Sequence, residues 1–493
     1  MKALTAIVKL TLRNAIRSHV FQLLLGFLIL CVALIPTTVG GSTAMDFIRV
    51  SLLYSLSGIG TILSLSALWV GCQVMSSDID SYQLHMVVSK PVSRVTIWFG
   101  KFLGVLLLHL VLLTIAAAAI FGVVLWRFNH GDFPQSERDR IRREVLVGRR
   151  VFLPERPDYE KQALEALEKK ILERQKGGRN VDLSERAQER EYKDCLKEAV
   201  AKDSEVEPAL YEVKLDDGRT ALKFSESRYR SWVYKNVPDK VEKLLYLRYR
   251  PYVGKVKSEN QRNTAVRWFV QIPARMEKKT PGDPEPGGEA PRYFQSLPPM
   301  EVMSGEFHEI KLLGNRGIVS PDGEVRIRVQ NLDPKMATQV YTPADGPKLL
   351  VEVTGFLGNY ARAILAMALQ LTMMALLSCA LGGFLTLPTA VFVSMSYLVF
   401  NFMTSYLTDS EFYVKTGMDK ASQGISLFIR QCLIMPLDRF DFTELVASGE
   451  LIEWSFIFDI AWSHKIAFVL FALFVWLGIV LYRRREIGLV IRK

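Results

Sequence analysis

The chain has 493 residues, of which 49% are hydrophobic, and it carries 62 Lys and Arg against 51 Asp and Glu, a formal net charge of +11. Apolar residues concentrate towards the two ends and charged residues towards the middle, and the excess positive charge belongs mostly to the segments beside the apolar runs. This distribution is typical of positive charge retained on the cytoplasmic side of a membrane, and it argues against nucleic-acid binding.

The N-terminal part predicts an amphipathic helix over residues 2–17, with an apolar stripe on one side and Lys9, Arg13 and Arg17 on the other. Such a helix suits the membrane interface. Six apolar spans follow, each near the ~20 residues that a helix needs to cross a bilayer: residues 19–38, 48–74, 101–126, 357–380, 384–407 and 465–482. The first run resembles a signal peptide, but its length and the later spans favour a retained membrane helix.

The distribution of Lys and Arg predicts the orientation of these spans. Basic residues precede the first span, lie between the second and third, and follow the sixth. With six spans, all three groups fall on one side, which the positive-inside rule makes the cytoplasm. The sequence therefore predicts an α-helical, multi-pass protein of the bacterial cytoplasmic (inner) membrane, with both termini cytoplasmic.

The charged middle predicts a large extracytoplasmic α+β domain over residues 128–355. Residues 158–201 have the pattern of two helices, the first capped by Asp158. From about residue 225 to 355 apolar residues alternate with polar ones, which indicates strands and favours a β-sandwich of the jelly-roll type. The membrane part is then divided into residues 1–127 and residues 357–493.

The segment between the second and third spans carries the most distinctive pattern, SSDIDSYQLHMVVSKPVSRVTIWFGK, residues 76–101. Two acids lead into an amphipathic turn in which Leu84 and Val88 supply an apolar face. Pro91 ends the turn, because proline cannot continue a helix. Arg94 and Lys101 are expected to hold the next span at the phospholipid boundary.

This segment, with its Ser-Lys-Pro-Val-Ser-Arg string followed by Gly100 and Lys101, resembles the coupling element of ABC-2-type transporter permeases. The chain is similar to permeases of gliding-motility and nitrous-oxide-reductase maturation systems over residues 1–127 and 357–493. The second of these ranges includes the closing Arg483-Arg484-Arg485-Glu486 and the external helices expected at 410–460. The resemblance does not extend to the middle domain. It implies that the ATPase contacts involve Asp78, Asp80, Ser81, Leu84, His85, Val88, Lys90, Pro91, Arg94 and Lys101.

The same resemblance implies the partners. A separate ABC ATPase subunit would hold ATP and Mg²⁺, and a second permease copy or paralogue would complete the path through the lipid bilayer. An extracytoplasmic accessory protein is a further expected partner of the outer domain. The chain itself has no GxxxxGK[ST] motif, no cysteine or histidine pattern of a metal site, and no acid–base cluster. It is therefore expected to be a non-catalytic subunit without a cofactor or metal of its own.

Polar residues within the spans have two interpretations. Gln370 and Asn401 are candidate path-lining residues, and His109 and Thr372 belong to the same group. Hydrogen bonds between or within helices are the alternative for each of them.

The outer domain leaves similar alternatives open. Its aromatic residues would either stack on a sugar or fill the core of the sandwich, and this group comprises Trp232, Tyr246, Tyr249 and Trp268. Its strand-face basic residues would contact either an anionic lipid or glycan or only solvent, and this group comprises Arg267, Lys311, Arg326 and Arg328. The alternative function for the whole chain is a membrane-anchored scaffold or sensor whose sandwich binds a ligand or partner.

Overall fold

The computed structural model describes residues 2–38, 43–80, 92–176, 185–214, 220–225, 227–238, 245–253, 262–272, 293–312, 318–320, 322–342, 345–409 and 440–484. The chain divides into two compact units. The helical unit comprises residues 1–148 and 354–493, and the sheet unit comprises residues 149–353.

The described helices are α1 Lys2–Arg17, α2 His19–Thr38, α3 Ala44–Asp80, α4 Arg94–His130, α5 Gln135–Glu144, α6 Tyr159–Lys176, α7 Glu185–Ser204, α8 Phe356–Phe384, α9 Leu387–Asp409, α10 Thr443–Ala447, α11 Trp454–Ser463 and α12 Lys465–Arg484.

Four of these helices are long and apolar enough to cross a membrane, namely α3, α4, α8 and α12. They match the predicted second, third, fourth and sixth spans. Helices α1 and α2 meet at 70° and together pass the same test as one bent pair, which raises the number to five. In α9 the residues Leu387–Asn401 form a shorter apolar helix. The helical unit is thus consistent with a membrane protein, and the chain also contains a β-rich unit.

Helix α3 lies at the centre of the helical unit and packs against α2, α4, α8 and α9. Leu52, Leu56 and Leu63 of α3 are almost completely buried. On α4, by contrast, Leu107 and Val111 are about half exposed. An apolar residue on the outside of a membrane helix meets lipid rather than water, so this arrangement needs no further protein to cover it.

The strands of the sheet unit are β1 Val147–Phe152, β2 Glu205–Val206, β3 Leu210–Lys214, β4 Thr220–Phe224, β5 Arg230–Tyr234, β6 Leu245–Tyr249, β7 Tyr252–Val253, β8 Asn263–Ile272, β9 Tyr293–Ser296, β10 Met300–Met303, β11 His308–Leu312, β12 Val325–Asn331, β13 Gln339–Val340 and β14 Lys348–Gly355.

Two antiparallel sheets dominate this unit. The four-stranded sheet has the order β1-β14-β6-β11, and the five-stranded sheet has the order β10-β8-β12-β5 with β9 also paired to β8. Side chains from both sheets share one hydrophobic core, in which the ring of Tyr249 lies 4.7 Å from that of Trp268. The predicted alternation therefore has its expected cause, because every second residue of β8 and β12 faces this core.

Strand β1 lies before the two helices α6 and α7, so the four-stranded sheet draws on residues earlier in the chain than the predicted sandwich. The two helices pack on each other, and the Lys161 amide donates to the Asp158 side chain at 3.1 Å. This is the predicted N-terminal cap. A turn precedes β12, where the Gly323 amide donates to the Ser320 carbonyl and Gly323 has a φ of +72°.

Candidate functional site

The segment predicted to couple the chain to an ATPase lies mostly outside the described residues. Those in question are Ser81, Leu84, His85, Val88, Lys90 and Pro91. Asp78 and Asp80 belong to the last turn of α3, and nothing is described of their side chains. Only Arg94 and Lys101, in the first turns of α4, have described side chains, so the docking face itself stays a prediction.

Arg94 joins the start of α4 to the end of α12. Ser93 caps α4, since its hydroxyl accepts a hydrogen bond from the Thr96 amide. The guanidinium of Arg94 then donates to the backbone carbonyl of Arg483 at 2.8 Å. The last carbonyls of a helix lack partners within the helix and carry partial negative charge, so a cation is favourable there.

Lys101 joins α4 to α3 about two turns further on. It is only 4% exposed, and its ammonium donates to the carbonyl of Val74 at 2.8 Å. The sequence predicted that this ammonium would lie at the phospholipid boundary, but the structure buries it between the helices. A buried charge needs a hydrogen-bond partner to offset its lost hydration, and the Val74 carbonyl provides one.

Helix α1 packs on the first turns of α4 through two glycines. A Cβ at Gly100 would lie 2.7 Å from Cγ2 of Ile7, and a Cβ at Gly104 would lie 2.7 Å from Cβ of Thr11. Neither contact leaves room for a larger side chain. Small residues let helix backbones approach closely in a membrane.

Helices α3 and α8 are joined by hydrogen bonds in their C-terminal halves. The Ser76 hydroxyl donates to the Gly382 carbonyl at 3.2 Å, and the Ser378 hydroxyl donates to the Ala67 carbonyl at 3.1 Å. A Cβ at Gly478 of α12 would lie 2.9 Å from the Cβ of Ala380 on α8. The helix that leads into the predicted coupling segment is therefore in direct contact with α8, which in turn packs closely against α12.

A small polar cavity of about 100 Å³ lies among the membrane helices. Its walls come from α3, α8, α9 and a position two residues before α10, and they comprise Ser57, Gly60, Thr61, Ser64, Met367, Gln370, Leu398 and Asp441. The predicted path residue Gln370 is among them, and it makes no hydrogen bond with another described residue. Asn401, the other predicted path residue, is 2% exposed and does not line this cavity.

Several residues of this cavity escaped the sequence analysis. Ser57, Thr61 and Ser64 recur at helical spacing on α3, a signal that could have predicted one polar stripe. Asp441 follows a long stretch assigned to an external segment, and nothing local to it indicated a neighbour on α3. Its carboxylate accepts a hydrogen bond from the Thr443 amide at 3.0 Å.

Two other polar residues of the spans bond within the protein instead. The ring of His109 lies 3.0 Å from the Ser66 hydroxyl on α3 and 2.8 Å from its own helix carbonyl at Val105. The Thr372 hydroxyl donates to the Ala368 carbonyl one turn earlier. Hydrogen bonding between or within helices is therefore the better account of both.

The structure also separates the alternatives for the outer aromatic residues. Trp232, Tyr246, Tyr249 and Trp268 are all at least 95% buried, so they fill the unit rather than offer a sugar platform. Of the four basic residues, Lys311 lies on β11 of the four-stranded sheet, whereas Arg267, Arg326 and Arg328 lie on β8 and β12 of the five-stranded sheet. Within the described part of the chain, no group of His, Cys, Asp and Glu has the arrangement of a metal site.

Comparison with protein-family models, curated proteins and solved structures finds no match to this chain.

Proposed function

We propose that the chain is the permease subunit of an ATP-driven, ABC-2-type transporter of the export class, and that residues 76–101 couple it to a separate ATPase subunit. The observation that carries this proposal is the way Arg94 and Lys101 fix the helix that leaves the segment. Arg94 bonds to the end of α12 and Lys101 bonds to α3. A displacement of the segment would therefore be passed directly to three membrane helices.

The contacts beyond these two residues extend the same pathway. Helix α1 packs against α4 at Gly100, and α3 bonds to α8 through Ser76 and Ser378. Nucleotide binding on the ATPase would bias an equilibrium between two arrangements of these helices. Two permease copies, identical or related, would form the path, and the cavity beside Gln370 would belong to it.

The proposed permease has six spans with both termini in the cytoplasm. Helix α2 has 20 residues and α9 has 23, which correspond to about 30 Å and about 35 Å of helix. These lengths support α2 as the first span and α9 as the fifth. The sheet unit, inserted between the third and fourth spans, then lies outside the cytoplasmic membrane.

The order of the strands supports a jelly roll for the sheet unit. Eight strands alternate in chain order between the two main sheets, except that β8 and β10 belong to the same sheet: β1, β5, β6, β8, β10, β11, β12 and β14. Two Greek-key motifs folded across two sheets produce this alternation. The helices α6 and α7 are then an insertion between the first two of these strands.

The coupling role can be tested with charged substitutions on the predicted docking face. The tagged full chain is purified from its native host in a mild detergent, and an ATPase subunit is expected to purify with it. Leu84→Asp with Val88→Asp should leave the chain in the membrane but remove the stimulated ATP hydrolysis, because the apolar docking contact is lost. A cysteine at position 81 or 85 should crosslink to the ATPase in the otherwise native chain.

The matched control places two aspartates on exposed apolar residues of the sheet unit. Leu153 is 58% exposed and Val353 is 43% exposed, so Leu153→Asp with Val353→Asp adds the same charge without a buried contact. This variant should retain ATP hydrolysis. Unchanged hydrolysis in the Leu84 and Val88 variant would contradict the proposal, and the absence of any co-purified ATPase would favour the scaffold or sensor.

A further inference from the structure

The outer surface of the five-stranded sheet carries three arginines on neighbouring strands. Arg326 and Arg328 are on β12, and Arg267 is on β8. The residues between them on each strand, such as Ile327 and Trp268, face the buried core. The arginines therefore project from the opposite side of the sheet, and we call Arg267, Arg326 and Arg328 the arginine face.

Arg328 is held flat between two aromatic rings. Its guanidinium carbon lies 3.6 Å from the centre of the Phe294 ring and 4.3 Å from that of Tyr229. Phe294 is on β9, which pairs with the far side of β8, so the Arg328 side chain reaches across β8. Stacking of this kind fixes the direction of the guanidinium before any ligand binds, so little side-chain entropy is lost on binding.

Among the described residues, Arg328 has no anionic partner. No hydrogen bond or ion pair joins it to another described residue, and its buried Nε lacks any hydrogen-bond acceptor. Arg267 likewise has no hydrogen bond or ion pair with another described residue, and its buried Nε lacks an acceptor. Arg326 differs, because its guanidinium donates to the Glu324 carboxylate at 3.0 Å and 3.2 Å. Among the described residues, Glu324 neutralises Arg326, whereas Arg267 and Arg328 have no carboxylate partner.

A preoriented guanidinium without a carboxylate partner is suited to bind an oxyanion, since its paired N–H groups match the geometry of a carboxylate or phosphate. Phe294 and Tyr229 lie against Arg328 itself, so they serve the guanidinium rather than projecting as membrane anchors. We propose that Arg267 and Arg328, two residues of the arginine face, bind a soluble organic anion through a carboxylate or phosphate group, whereas Arg326 stays paired with Glu324 and takes no part. This site is independent of the transport proposal.

The site can be tested on the full chain in nanodiscs of phosphatidylcholine alone. The probes are inorganic phosphate and glucuronate, with sodium chloride at matched ionic strength as the reference. Hydrogen-exchange mass spectrometry should show slower exchange in β8, β9 and β12 with either probe and not with chloride. Arg267→Gln with Arg328→Gln should weaken binding at least about tenfold, because two charge-assisted contacts are lost.

Two further variants separate ligand binding from structural damage. Arg326→Gln is the matched control, since it removes one positive charge whose partner is Glu324, and it should bind the probes as the native chain does. Arg328→Lys keeps the charge but not the planar fork, and it should bind less tightly than the native chain while melting at the same temperature.

Three results would overturn the proposal. The first is exchange that neither probe slows. The second is equal binding by the native chain and the Arg267 and Arg328 variant. The third is protection that appears only when phosphatidylglycerol is added to the nanodiscs, because the occupant would then be a lipid headgroup rather than a soluble anion.

Discussion

Two charged residues buried in the sheet unit, Arg149 and Asp333, each have an ion-pair partner. Arg149 is 1% exposed, and one of its terminal nitrogens lies 2.8 Å from both oxygens of Glu309. Arg262 donates to both oxygens of Asp333 at 2.9 Å, and the Thr264 hydroxyl and the Ala337 amide also donate to this carboxylate. Burying a charge is costly unless it is paired and hydrogen-bonded, so these contacts are required for the fold rather than added to it.

Asp333 should make the sheet unit sensitive to acid. Burial by itself would raise the pKa of Asp333, but the hydrogen bonds from Arg262, Ala337 and Thr264 outweigh it and hold the pKa below the ordinary value of 3.8. Because the pKa is lower in the folded state, the stabilisation is complete above about pH 5 and is lost as the pH falls below about 4. The melting temperature of the native chain should therefore drop as the pH falls below about 4.

Asp333→Asn should lower the free energy of unfolding of the sheet unit and remove part of the pH dependence of that free energy. The asparagine keeps the shape but leaves the Arg262 guanidinium without its carboxylate, at an expected cost of about 2–4 kcal/mol. Hydrogen exchange in β8, β12 and β13 measures this cost. Glu324→Gln is the control, because the partly exposed pair of Glu324 and Arg326 should contribute less than about 1 kcal/mol. Equal losses in the two variants would contradict this assignment.

At the scale of secondary-structure elements, several helices of the helical unit approach one another closely at glycines. Helix α1 rests on α4 at Gly100 and Gly104, and α12 rests on α8 at Gly478. Lipid tails are as apolar as the helices, so contact geometry and a few hydrogen bonds must supply the association. A change of volume at one of these glycines should therefore be felt strongly.

Gly100→Val should separate α1 from α4, because even its Cβ would overlap Ile7. We expect a cost of about 1–3 kcal/mol and a lower melting temperature of the detergent-solubilised chain. Gly122→Val on the same helix is the matched control, since a Cβ there meets nothing within 4 Å. Gly100→Ala combined with Ile7→Ala should recover part of the loss. A Gly122 variant as unstable as the Gly100 variant would instead indicate a general effect of glycine replacement.

The elements that the sequence predicted are those whose signals are local. The first turn of α6 follows from Asp158, and β8, β12 and β14 follow from alternation that faces one core. Strand β1 was missed because its residues, Val-Gly-Arg-Arg-Val-Phe, alternate only weakly and its partner β14 lies some two hundred residues later. The ion pair of Arg149 and Glu309 was missed for the same reason, since its partners are 160 positions apart.

The candidate site divides in the same way. Gln370 was identified because a polar residue inside an apolar span stands out. Asp441 was not, because only the folded chain places it on the same cavity as Ser57 and Thr61. The buried position of Lys101 was also beyond the sequence, since charge patterning places a lysine near a membrane surface but cannot give it the Val74 carbonyl as a partner.

At the scale of the whole molecule, the sheet unit is inserted between two neighbouring positions of the helical unit. A Cβ at Gly148, the last residue before the sheet unit, would lie 2.6 Å from Cγ2 of Thr354, the first residue after it. The two chain ends of the helical unit are therefore adjacent. Each unit also has its own hydrophobic core. Ordering the described sheets and helices of this unit is costly in conformational entropy, so a role beyond linking two spans is expected of it.

Replacement of residues 149–353 by a short Gly-Ser linker tests that role. The linker needs to bridge only neighbouring positions, so the shortened chain should insert in the membrane and melt at nearly the temperature of the native helical unit. If the sheet unit recognises a substrate or an accessory protein, the co-purified ATPase should keep its basal hydrolysis but lose its response to substrate. A linker variant that fails to insert would show that the sheet unit is needed for assembly. Native transport with a normal substrate response would show instead that recognition does not reside in the sheet unit.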